Sequence, residues 1–211
     1  KEARLVAALH HPNIVEIYSI IEDGSDAYLI FEFVDGSTVN DLLFQRKRIL
    51  FPEAVGVMRG ACDALDYAHK RDIIHRDIKP SNIMINRERQ VKVMDFGVAR
   101  LAKDSLTRLS MTDTVVGTPP YMAPEQEQGM VRKASDVYAL AVLLYEMVTG
   151  KLPFAGVGAG MLMAKINATY VPAVRLAELP RGFDEILARA LEPDPNHRWQ
   201  TGGDFGRGLE S

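Results

Sequence analysis

The chain has 211 residues, 47% hydrophobic and 25% charged, which suits a globular fold with one sizeable core or two small lobes and excludes extended disorder. Its 25 basic and 28 acidic residues leave a net charge of -3, so there is no general electrostatic case for nucleic acid or an anionic membrane, although a locally basic site is compatible with it. The single cysteine, Cys62, excludes an internal disulfide and a cysteine-based zinc cluster, fits a reducing, cytoplasmic compartment, and reads as a small buried hydrophobe.

Leu5, Val6 and Leu9 recur at helical spacing and stop at His11-Pro12, where the proline forces an extended continuation. Asn13 to Ile21 and Ala27 to Val34, rich in Ile, Val, Tyr and Phe, read as two strands joined by a Glu-Asp-Gly-Ser-Asp turn. After Asp35-Gly36 the pattern becomes helical, over Thr38 to Gln45 and over Pro52 to Lys70, with Val55, Met58, Cys62 and Leu65 on one face of the second helix. Short strands follow at Ile83 to Ile85 and Gln90 to Met94. A further helix runs from Ser135 to a stop at Gly150. Its apolar run, Val137 to Tyr145, is nine residues, far short of the roughly 20 needed to span a bilayer. Val98 to about Ala134 reads as irregular, and a loop of that length is usually functional.

The segment His75-Arg76-Asp77-Ile78-Lys79-Pro80-Ser81-Asn82 lies between a helix and a short strand, and Asp95-Phe96-Gly97 follows the next strand. Phosphoryl transfer accounts for this assortment. It needs a carboxylate to accept a hydroxyl proton, a cation to steady the transferring group, and oxygen ligands for Mg²⁺. Asp77, Lys79, Asn82 and Asp95 supply one such set. The plainer alternative, two solvated loop acids, leaves their order and company unexplained.

These motifs, with four residues between Asp77 and Asn82, resemble the protein-kinase family, and the resemblance spans the chain. Gly117-Thr118-Pro119-Pro120-Tyr121-Met122-Ala123-Pro124-Glu125 is similar to the end of that family's activation segment, Asp136 opens the long buried helix, and Pro193 to Arg198 is similar to its late turn. Lys79 two residues past the base, with Thr118 before Pro119-Pro120-Tyr121, resembles serine/threonine rather than tyrosine kinases. His11-Pro12-Asn13, Pro80-Ser81-Asn82 and Glu125-Gln126 most resemble the bacterial branch.

The resemblance implies an α+β, protein-kinase-like two-lobe fold. Residues 1–34 would be a partial N-terminal β lobe with the end of a regulatory helix, strands and hinge; 35–211 would be a nearly complete, mainly helical C-terminal lobe. It makes Asp77 the catalytic base, Asn82 and Asp95 the metal ligands, Lys79 the contact to the transferring phosphate, and Thr118 part of the substrate platform. The implied cofactors are ATP and Mg²⁺, with Mn²⁺ as an alternative, and the implied partners are proteins bearing Ser or Thr. No nucleic acid or membrane contact is implied for this segment. Arg76 is the family's ligand for an activation-loop phosphate, with acceptors in Ser105 to Thr114. Thr114 and Thr112 are favoured because they stand three and five residues before Gly117. Glu2 falls where the family's helix glutamate pairs with a nucleotide-contacting lysine; the plainer reading is an exposed helical glutamate. Val6, Ile17, His75 and Phe96 would form a stack behind it, Phe31 would gate the adenine pocket, and Glu32 and Val34 would offer backbone hydrogen bonds to adenine.

Other features carry no such chemistry. Gly156 to Gly160 lacks the spacing and preceding strand of a nucleotide loop, and Gly150-Lys151 lacks the rest of a Walker motif. Arg46-Lys47-Arg48 reads as a solvated turn, and His69 as a cap on helix carbonyls. The chain opens on Lys1 rather than Met, which reads as a cut from a longer protein. Neither the glycine-rich loop nor the strand lysine of the family is in it, so the chain by itself is expected to bind ATP weakly and turn over little. Three readings of the parent follow: an active kinase, a kinase-fold binding or scaffolding module, and a small-molecule kinase, the last disfavoured by the peptide-docking character of Gly117 to Glu125.

Overall fold

The computed structural model describes residues 8–23, 26–96 and 118–210. Strands β1 (Ile17–Asp23) and β2 (Asp26–Phe31) pair antiparallel from Ile17↔Phe31 to Asp23↔Asp26. The first strand begins four residues later than its composition predicts because the preceding backbone is used elsewhere. Val15 N–H donates to the Val93 carbonyl at 2.9 Å, Val93 N–H donates to the Asn13 carbonyl at 2.8 Å, and Asn13 Nδ2 donates to the Val91 carbonyl at 2.8 Å. Those bonds tie the segment after His11-Pro12 to a second sheet, made of β3 (Gly36–Thr38), β4 (Ile83–Asn86) and β5 (Val91–Val93) in that order, all antiparallel. β3 is too short to be visible as a pattern.

Thr38 ends β3 and caps α1 (Val39–Arg46) through a reciprocal capping box: its hydroxyl accepts from Asp41 N–H at 3.0 Å, and the Asp41 carboxylate accepts from Thr38 N–H at 2.9 Å. α2 (Phe51–His69) has Pro52 in its first turn and buries Met58, Cys62 and Leu65, as the periodicity predicts. Burial pushes the Cys62 thiol well up, the opposite of a reactive thiolate.

The central element is α4 (Lys133–Thr149), preceded by the one-turn α3 (Pro124–Glu127). Apolar around its whole circumference, α4 is buried from Ala134 to Tyr145, and each large side chain there contributes roughly 1.5–3 kcal/mol. It ends at Gly150, whose φ of 71° is the left-handed conformation of a C-cap. The Lys47 carbonyl packs so closely on Gly150 that an added Cβ would collide with it. Gly150→Ala therefore combines left-handed strain with a backbone clash and is expected to lower unfolding free energy by about 1–3 kcal/mol in urea titration.

The stretch expected to be irregular up to Ala134 contains α3 and a 3₁₀ turn at Pro119–Tyr121, because prolines at 119 and 124 start both turns. Three further helices had no sequence assignment: α5 (Ala159–Ile166), α6 (Phe183–Ala190) and α7 (Gly202–Glu210). The Asp66 carboxylate of α2 accepts from Gly202 and Gly203 N–H at 2.7 and 2.9 Å, and a Cβ on Gly202 would lie 2.9 Å from the Cys62 carbonyl. The approach of α7 to α2 thus depends on glycine. Among the described residues no helix is long and apolar enough to cross a membrane.

Candidate active site

The loop between α2 and β4 is built on one buried carboxylate. Asp136, 1% exposed at the start of α4, accepts from His75 N–H at 2.8 Å, Arg76 N–H at 2.9 Å and His69 Nε2 at 2.7 Å. Three donors satisfy a group that would otherwise be costly to bury. Two consecutive amides reach one carboxylate because Arg76 takes a φ of 74°, strained for a residue with a side chain. Gln126 Nε2 meets the Arg76 carbonyl at 2.6 Å on the other side. His69 is therefore a partner of Asp136, correcting the expectation that it caps carbonyls.

His75 orders the next peptide. Its Nδ1 accepts from Asp77 N–H at 3.2 Å, which leaves the proton on Nε2 to be donated to the Met94 carbonyl at 2.8 Å. Burial lowers its pKa against the pull of Asp136, and the neutral ring is the form this pattern requires. It packs on Phe96, with ring centroids 4.6 Å apart, and both are buried. Of the expected stack, Ile17 is also buried, and Val6 lies outside the described residues.

Asp77, Lys79, Asn82 and Thr118 converge, although Thr118 is 41 residues from Asp77. Lys79 Nζ is 2.6 Å from Asp77 Oδ2 and donates to Thr118 Oγ1 at 3.1 Å, while Thr118 Oγ1 donates to Asp77 Oδ1 at 2.8 Å. Asn82 Nδ2 donates to the Asp77 carbonyl at 2.8 Å and lies 3.3 Å from Oδ2. That orientation fixes the Asn82 amide and leaves its Oδ1 as an acceptor. Met94 N–H donates to the Asn82 carbonyl at 3.0 Å, so the residue after Met94, Asp95, leaves the strand beside Asn82, with a φ of 63°. Asn82 and Asp95 are the hard oxygen donors that could hold a metal; no cluster of three or more His, Cys, Asp or Glu occurs among the described residues.

Just after β2, Glu32 N–H donates to the Glu16 carbonyl at 2.9 Å, which leaves the Glu32 carbonyl and Val34 N–H without a backbone partner among the described residues. The Glu32 carboxylate pairs with Lys92 of β5 at 2.8 Å, a contact the sequence does not announce, since lysine between two valines reads as the solvent side of a strand. The guanidinium of Arg76 has no hydrogen bond or ion pair among the described residues. Glu2, Thr112 and Thr114 lie outside those residues.

A second ionic centre fastens the segment after Thr118. Arg198, 1% exposed, meets Glu125 bidentately at 2.7 and 2.8 Å and donates to the carbonyls of Glu192, Pro193 and Ala134, so all five of its N–H groups are used. Ser135 Oγ donates to Glu125 at 2.7 Å. Burial pushes the Glu125 carboxyl up, but Arg198 and Ser135 outweigh it and hold the pKa below the ordinary value. Lys165 of α5, also missed by the sequence, is buried against the same segment. A lone cation on the face that carries Met161 one turn earlier is the signal that could have found it.

The protein kinase domain family matches residues 1–202. A protein of Streptomyces coelicolor described as a probable serine/threonine-protein kinase is 38% identical over 218 residues, covering 100% of this chain and 32% of that protein. The serine/threonine-protein kinase PknB of Mycobacterium tuberculosis is 38% identical over 218 residues, covering 97% of this chain and 34% of PknB. The chain thus spans about a third of the length of these curated relatives. A crystal structure of Rad53 1-466 in complex with AMP-PNP superposes with a TM-score of 0.82 at 26% identity, over 97% of this chain and 52% of that one. With the α+β architecture in agreement, the chain belongs to the protein kinase family.

Proposed function

We propose that this chain is the catalytic part of a protein serine/threonine kinase that moves the γ-phosphoryl group of ATP to Ser or Thr hydroxyls of protein substrates. The observation that carries the reading is the Asp77–Lys79–Thr118 triangle, which sets a carboxylate, a cation and a hydroxyl around one point. A substrate hydroxyl beside Asp77 gives its proton to the carboxylate as its oxygen bonds to the γ-phosphorus. The bond from that phosphorus to the β–γ bridging oxygen breaks, and ADP leaves with the electron pair. Lys79 stabilises charge on the transferring group.

Asn82 Oδ1 and the Asp95 carboxylate are the oxygen donors that would hold Mg²⁺, or Mn²⁺, which would supply charge neutralisation there. The Glu32 carbonyl and Val34 N–H are the adenine contacts, and Glu2 is the partner of a nucleotide-binding lysine. The hinge falls at 34/35, supported by the passage of the chain from the β1–β2 sheet into β3 at Gly36. The use of ATP favours a cytoplasmic location. Transfer of ³²P from γ-labelled ATP to a generic protein, by the full-length protein and by its Asp77→Asn variant, tests the reading. No Asp77-dependent transfer would leave a kinase-fold binding or scaffolding module.

Activity is switched by phosphorylation of Thr112 or Thr114, read by Arg76. Support comes from the Arg76 guanidinium, which stands next to the base with no partner among the described residues and suits a phosphate. Thr112→Ala/Thr114→Ala is expected to lower activity in the same ³²P assay. Full activity of that variant without any loop phosphate would refute the switch.

A further inference from the structure

We propose that Lys165 is a positioning residue for the protein substrate, pinning the backbone on which the peptide lies; this rests on the kinase reading above. Lys165 is 0% exposed, and its ammonium spends all three donors: on the Pro119 carbonyl at 2.5 Å, the Met122 carbonyl at 2.8 Å and Glu127 Oε1 at 2.6 Å. Burial holds its pKa below the usual lysine range in spite of Glu127. Helix packing alone does not ask for such a group. Met161, one turn earlier on the same buried face, shows what that face ordinarily carries, and desolvating an ammonium is costly.

The charge does what a methyl group cannot, which is to hold two backbone carbonyls that bracket residues 119–122. That turn begins directly after Thr118, the residue hydrogen-bonded to both Asp77 and Lys79. Tyr121 donates to Glu146 of α4 at 2.6 Å, so the turn is anchored to the central helix on one side and to α5 on the other. A platform ordered in advance costs a docking peptide less, and a shift of about 1 Å at Thr118 would disturb the base and its cation together.

In the full-length protein, Lys165→Met is expected to raise the KM of a Ser/Thr peptide about tenfold or more, the scale of a charge-assisted hydrogen bond, with the KM of ATP within about twofold of wild type. Adding Glu127→Gln neutralises the orphaned carboxylate and recovers thermal stability, yet leaves the peptide KM high because the Pro119 and Met122 carbonyls remain unheld. A purely structural lysine would return the peptide KM to wild type in the double variant, or raise the KM of ATP along with that of the peptide. Either result overturns the proposal. Amide exchange gives a readout independent of turnover. The N–H groups of Tyr121 and Met122, bonded to the Thr118 and Pro119 carbonyls, should exchange faster in Lys165→Met while those of α4 do not. Unchanged exchange at those two amides also overturns it. Should the wild type transfer no phosphoryl group at all, the kinase reading fails, and exchange alone decides the role of Lys165.

Discussion

Asp77→Asn is expected to slow phosphoryl transfer by about 10²–10⁴-fold, the range for loss of a positioned general base, with the KM of ATP little changed. The substitution keeps size and shape, and the oxygen of the new side-chain amide can still accept from Thr118, so the loop should hold its form on Asp136 and His75. What disappears is a carboxylate able to take the proton and to balance Lys79, now 2.6 Å away. Asn82 and Asp95 are untouched, which is why nucleotide affinity should survive. Steady-state rates at saturating ATP, with circular dichroism to confirm folding, make the comparison. An equal rate in the variant would remove Asp77 from the chemistry.

The second large effect concerns stability. Arg198→Met leaves Glu125, 6% exposed, as a buried carboxylate without its cation, and removal of one partner from such a pair typically costs about 3–5 kcal/mol. Against a total stability of about 5–15 kcal/mol, that is enough to make the fold marginal. Arg198→Met/Glu125→Leu should recover much of the loss, since two well-packed apolar groups carry no unpaired charge. Urea midpoints for the wild type and both variants decide the matter; a double variant as unstable as the single one would point to the carbonyl contacts of Arg198 instead. The pH dependence has a definite sign. The folded-state pKa of Glu125 lies below its ordinary value of 4.5, so its contribution is complete above that pH and is lost as pH falls through the folded value.

Much of this site was legible because the chemistry is local in sequence. Asp77, Lys79 and Asn82 lie within six residues, and Asp95 follows a strand that turns back on them. Thr118 could be named from its motif, but its hydroxyl contact with Asp77 depends on how the chain returns. Lys165 and Lys92 escaped because a lone lysine on an apolar helix face or between two valines does not name its acceptors; its role becomes visible only when the carbonyls or carboxylate that accept from it are in place. His69 misled for the same reason, since the end of a helix suggests carbonyl capping while its real partner, Asp136, is 67 residues away.

Periodicity alone determined α1, α2 and α4, because helical spacing of apolar side chains is a property of neighbours, and the spacing of charged and amide groups marked out the loop from His75 to Asn82. Tertiary structure decided the short β3, the helices after Gly150, and the ionic anchors at Asp136, Glu125 and Lys165. The physical reason is that a buried charge is tolerated only when distant segments bring it a full set of partners, and that completeness is not written in any one stretch of the chain.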